Sequence, residues 1–168
     1  MKKIIKTNDS QASEMLNEFA GSANDDSMVE LLPYLMNRLT TKINKLWLKK
    51  IREYGLTIPR WQVLSILSAM DGSRIGTLAD MCGLEQAVIS RVVDQMQRDG
   101  LVERRPAKLD SRAVEVWITE KGRSVHGQLS PLAKSYVDSL VEDFSSEEAV
   151  DLANSIARML HHLDDNSQ

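Results

Sequence analysis

The stretch "GTLADMCGLEQAVISRVVDQMQRDGLVERR", Gly76 to Arg105, decides the fold. Its second half carries Ile89, Val92, Val93 and Met96 on one side of a helix predicted over Glu85–Arg98, closed by Gly100. Ahead of it the sequence predicts a short helix, Leu78–Cys82, capped by Thr77 and ended by Gly83. Ala79 is small enough for two helices to cross closely. Gly83 can take the positive φ of a tight turn, and Ile89 can plug the space between the helices. After Gly100 the pattern changes to a strand, Leu101–Arg105.

Working outward, "KLDSRAVEVWITEKG" (Lys108–Gly122) holds an alternating run, Ala113–Ile118, which reads as a second strand. The Pro106–Arg112 loop joins the two strands into a hairpin. Thr119 caps a long helix running to about Phe144, with Gly127 or Pro131 as places to bend. Ser145-Ser-Glu-Glu148 is a capping box that opens a last helix, whose apolar side includes Leu152, Ile156, Leu160 and Leu163. On the N-terminal side, Thr57-Ile-Pro-Arg60 opens a helix with Trp61, Leu64, Ile66 and Leu67 on its apolar side, ended by Asp71-Gly72. Before it, Leu32, Leu35, Leu39, Ile43 and Leu46 mark a first helix ending at Gly55. Ser27–Glu30 is a capping box for that helix, while Pro33 favours a start nearer Glu30 or a kink. Residues 1–26 are polar and predict a flexible arm. The fold class is therefore mainly α with a small β-hairpin.

The 168 residues suit one domain with helical extensions and bury a core without disulfide or metal. The single cysteine, Cys82, suits a reducing compartment, and no apolar run approaches the roughly 18 residues of a membrane span. A soluble, cytoplasmic protein is expected. Net charge is −3, but Arg38–Arg52 holds six bases and no acid, while the chain from Asp138 onward holds eight acids and one base. Arg38, Lys42, Lys45, Lys49 and Arg52 form a stripe along the first helix. His126, His161 and His162 lack metal-ligand spacing, so no metal or cofactor is expected.

The Gly76–Arg105 stretch resembles a helix-turn-helix followed by a wing. Ala79, Gly83 and Ile89 lie at offsets of four and six, the spacing of such units. In a helix-turn-helix the second helix enters the major groove. Its outward positions here are Gln86, Ala87, Val88, Ser90, Arg91 and Gln95. Arginine suits guanine or phosphate, glutamine suits adenine, and Val88 suits a thymine methyl. Arg104, Arg105, Lys108 and Arg112 concentrate charge in the hairpin, with Asp110 placed to brace Arg112. Arginine is favoured in a narrow minor groove.

Three segments resemble the MarR family of transcriptional regulators. "LTIPRWQVLSIL" (Leu56–Leu67) is similar to its second helix, and "LEQAVISRVVDQMQRDGLVERR" to its recognition helix and following strand. "DSRAVEVWITEKG" carries its wing signature, Asp-x-Arg before a strand ending in Thr-x-x-Gly. The likeness spans about Val29 to Leu163. It implies a winged helix-turn-helix lobe (56–119) and a helical dimerisation region (27–55 and 120–165). It also implies a homodimer on a palindromic operator of double-stranded DNA, with Arg112 in the minor groove. One departure is that Ala87 and Val88 stand where the family usually has small polar residues.

The family resemblance also implies a small-molecule effector, aromatic or phenolic, held between the first, second and fifth helices. Met36, Trp47, Trp61 and Met70 are candidate walls, and Arg60 could meet an acidic group. The basic stripe could take a CoA thioester, or it could be solvated or paired. An enzyme is disfavoured, because a methyltransferase built on this fold needs a further cofactor domain with a glycine-rich turn. A protein-binding adaptor would keep the fold without needing the basic wing.

Overall fold

The computed structural model describes residues 29–107 and 113–166. The N-terminal arm, the Ser27 capping box, and Lys108, Asp110 and Arg112 lie outside the described residues. Among the described residues, six helices and three short strands follow in the order α1 (Leu32–Ile51), α2 (Ile58–Ala69), β1 (Ser73–Arg74), α3 (Ile75–Cys82), α4 (Gln86–Arg98), β2 (Val102–Pro106), β3 (Val114–Ile118), α5 (Glu120–Leu140) and α6 (Ser146–Asp165). A 3-10 turn, Arg52–Tyr54, follows α1. None of the described helices is long and apolar enough to cross a membrane.

The chain divides within α1 into two compact units, Met1–Leu46 and Trp47–Gln168. In the first, Pro33 sits in the opening turn of α1, where its missing N–H breaks no helical bond. Arg38 donates to the Tyr34 hydroxyl at 3.4 Å.

The second unit holds the core. Val63, Leu64 and Leu67 of α2, Leu78 and Ala79 of α3, and Ile89, Val93 and Met96 of α4 are all buried. Val102, Val116 and Ile118 close it from the sheet, and Leu129 from α5. The strand order is β1-β3-β2, all antiparallel. Val102 faces Ile118 and Arg105 faces Glu115 across the hairpin, while Ser73 faces Val116 on the other edge.

Three sequence expectations are corrected. Besides the hairpin there is a third strand, β1, which lies along β3. Because it ends at Arg74, α3 begins at Ile75, with Arg74 as N-cap and Thr77 already inside the helix. The fifth helix stops at Leu140 rather than near Phe144. Thr57 occupies the N-cap of α2 without a side-chain bond, Pro59 standing in the first turn. Thr119 does cap α5, accepting from the Gly122 N–H at 3.1 Å. Ser145 and Glu148 form a full capping box, and those bonds hold the Glu148 carboxyl below the usual carboxylate range.

The hairpin, α4 and α5 meet at Leu101. Its N–H closes α4 by donating to Met96 O at 2.9 Å, and its carbonyl accepts from Thr119 N at 3.1 Å. The Thr119 hydroxyl also donates to Gly100 O at 2.7 Å. Gly122 lies directly on this backbone, and a Cβ there would run into the Leu101 carbonyl oxygen and lie 2.8 Å from Ile118. Alternative rotamers cannot relieve a clash with backbone, so Gly122→Ala is expected to cost about 1–3 kcal/mol, as overpacking does. Thermal unfolding of the variant should show the loss as a lowered midpoint.

Candidate nucleic-acid interface

Helix α4 has two chemically distinct sides. Ile89, Val93 and Met96 are fully buried, whereas Gln86, Ala87, Val88, Arg91 and Gln95 are exposed and Ser90 is half-buried. The α3–α4 turn is held as the spacing predicts. Ala79 and Ile89 are buried at the crossing, and Gly83 adopts φ +63°. Leu84 N then reaches back to Ala79 O at 3.0 Å, which closes α3 and redirects the chain into α4. Gln86 leans over the start of α3, its Nε2 lying 3.3 Å from where a Gly76 Cβ would stand.

The cations differ in what they do. Arg104 points inward from β2 and pairs with Asp94 of α4, with Ser90 O 3.4 Å away and Gln97 Oε1 3.5 Å away. It braces the helix against the strand. Arg105, on the opposite face of the sheet, pairs with Glu103 and lies 4.9 Å from the centroid of the Trp117 ring. Arg91 is exposed and has no ion-pair partner among the described residues. A second bracing pair grips the far end of α4. Arg60 pairs with Asp99 and donates to Gly55 O at 2.8 Å, and Lys121 donates to Asp99 O at 2.8 Å. The Arg60 side chain is only 12% exposed.

Asp71 does similar work at the wing. One of its oxygens accepts from Gly72 N at 3.1 Å and Ile118 N at 2.9 Å, and the other pairs with Arg123. Gly72 is required twice over, by its φ of +76° and by Trp117, whose ring would lie 2.6 Å from a Cβ. Sequence reasoning missed Asp71, Asp94 and Asp99. Their partners are 52, 10 and 39 residues away, and no periodicity marks such pairs.

The residues proposed to meet an effector fall in both units. Met36 belongs to the first unit and Met70 is half-exposed at the end of α2. Trp47 and Trp61 do come together, edge to face at 5.4 Å. Two residues outside the sequence expectation extend the cluster. Tyr136 stacks on Trp47 at 5.7 Å, and His126 stacks on Trp61 at 5.2 Å. Trp47 is 5% exposed, and its buried Nε1 has no hydrogen-bond partner among the described residues. Burial pushes the Cys82 thiol up, which keeps it protonated and poorly nucleophilic.

A helix-turn-helix closed by a small sheet, with amides and an unspent arginine along the outer side of its second helix, defines a winged-helix DNA-binding protein. Known proteins agree. The MarR family model matches residues 54–113. A solved MarR family transcriptional regulator from Silicibacter pomeroyi is 34% identical, with a TM-score of 0.71 over 78% of this chain and 88% of that one. The transcriptional activatory protein BadR of Rhodopseudomonas palustris is 29% identical, matching 82% of this chain and 79% of its own length. The HTH-type transcriptional repressor IacR of Pseudomonas putida is 31% identical over 60% of each chain. The chain belongs to the MarR family of transcriptional regulators.

Burial against Trp61 holds the His126 imidazole below its ordinary value of about 6.5. The unfolded chain then takes up this proton first as pH falls. The stabilising contribution is complete above about 6.5 and is lost as pH drops through the lower, folded-state value. Denaturant melts between about pH 7.5 and 5 should show stability declining toward acid, with a shallower decline in His126→Gln.

Proposed function

We propose that the chain is a ligand-responsive transcriptional repressor that binds a palindromic operator as a homodimer. The observation that carries this reading is the two-sided α4. Its buried side is fixed to the core, and its outward side offers Gln86, Val88, Ser90, Arg91 and Gln95 to the major groove. The wing supplies Lys108, Asp110 and Arg112 at its tip, with Arg112 entering the minor groove. Arg104 braces the wing against α4, while Arg105, exposed on the other face of the sheet over Trp117, adds positive charge to the wing beside the groove. One relative is named an activator and another a repressor, so the direction of regulation is the part to measure first. In vitro transcription from its own flanking promoter would read it.

The first and last helices form the dimerisation region, 27–55 with 120–165, flanking a DNA-binding lobe at 56–119. Support comes from the apolar side chains these helices leave in water. On α6, Leu152, Leu160 and Leu163 are 42%, 57% and 62% exposed; on α1, Leu39 is 53% exposed. Such surface is too costly to leave open in an isolated subunit. The effector is an aromatic or phenolic molecule or its CoA thioester. The Trp47–Trp61 pair offers it aromatic faces, and the unsatisfied Trp47 Nε1 offers a donor.

A protein-binding adaptor would use the same fold without strong salt dependence. With Arg91, Lys108 and Arg112 contributed by each subunit, about six phosphates are neutralised. Affinity should then fall roughly 10³-fold between about 50 and 200 mM salt. Arg112→Ala should weaken operator binding in a gel-shift assay while leaving the dimer and its melting unchanged. A variant that binds like the wild type removes the wing from the mechanism.

Titrating the operator complex with an aromatic acid and with its CoA thioester separates the effector readings. If the stripe of Lys45, Lys49 and Arg52 docks the nucleotide, the thioester alone should release DNA. Release by the free acid alone assigns the stripe to another role.

A further inference from the structure

The outward side of α4 opens with apolar surface where hydroxyls or charge would be expected. Ala87 and Val88 occupy its first turn, and Val88 is 37% exposed. Leu84 in the preceding turn is 36% exposed, and Met81 at the end of α3 is 53% exposed. The first turn of α4 carries no acidic residue, and its N-cap Glu85 makes no side-chain capping bond.

Val88 contributes nothing to the core cluster, which Ile89, Val93 and Met96 close from the other side of the helix. A β-branched residue on the wet side of a helix is a poor choice for stability. It stiffens against the preceding turn and leaves methyl groups in water. Alanine or a polar helix former would serve the free protein better. Arg91 and Gln95 follow Val88 at three and seven residues and share its face. The apolar patch is thus continuous with the surface proposed to read DNA, at the end of the helix that penetrates deepest.

We infer that Val88, with Ala87 beside it, is a specificity-determining residue that selects thymine by packing on its C5-methyl in the major groove. The methyl is the one apolar feature that base edges present there. This inference rests on the DNA-reading surface proposed above. It assigns part of the operator's information to shape and desolvation rather than to hydrogen bonds. Arg91 and the two glutamines supply the polar part of the code.

Replacing thymine by deoxyuridine removes the methyl and leaves pairing intact. The full chain is used to select operator duplexes from a random pool, and each thymine of a half-site is then changed to deoxyuridine in turn. One position should lose about four-fold in affinity, the value of one buried methyl group. Val88→Ala should bind the parent and that deoxyuridine probe equally. Alanine is a better helix former than valine, so this exposed variant folds. Equal wild-type affinity for all deoxyuridine probes overturns the assignment, as does a Val88→Ala protein that keeps the penalty. Failure to select any sequence overturns the DNA-reading proposal itself along with this one.

Discussion

The lobe is organised around the backbone of Leu101. Helix α4 ends there, β2 starts there, and the first turn of α5 is laid against it through Thr119 and Gly122. Only a glycine lets α5 approach so closely, and a hydroxyl three residues earlier, on Thr119, both caps that helix and reaches the Gly100 carbonyl. The Thr-x-x-Gly signature is therefore a packing requirement before it is a family mark. It fixes the angle at which α5 leaves the end of α4.

Charge in this lobe serves mostly to hold it together. Arg104 ties the wing to α4 through Asp94, Arg60 ties α2 to the end of α4 through Asp99, and Arg123 ties α5 to the Asp71 turn. Several of these partners are partly exposed, so each pair alone contributes modestly. Their value lies in position. They pin the C-terminal half of α4 and the base of the hairpin, which limits the freedom of that helix to move against the core.

Local patterns in the sequence made much of this legible. The amphipathic period of α4, the glycine closures at Gly83 and Gly100, the Thr119 cap and the Ser145–Glu148 box are short-range signals, and each was readable from neighbours within a few residues. The third strand was not. Ser73–Arg74 is too short to alternate, and it exists because β3 offers an edge; that pairing in turn moved the start of α3 ahead of Thr77, the more obvious cap. The site was legible to the same limit. Gln86, Val88, Arg91 and Gln95 could be placed outward by period, with Ser90 turned half inward. Nothing in the order of residues separated the arginines that brace from Arg91, and nothing marked His126 as the face of Trp61.

The internal pairing of arginines bears on the field the chain presents at a distance. Arg60, Arg104, Arg105 and Arg123 each lie against one of the chain's own carboxylates, so each of these charges is largely cancelled a few ångströms away. In a chain of net charge −3, long-range attraction of a polyanion then falls to cations outside these pairs, and it weakens as salt is added.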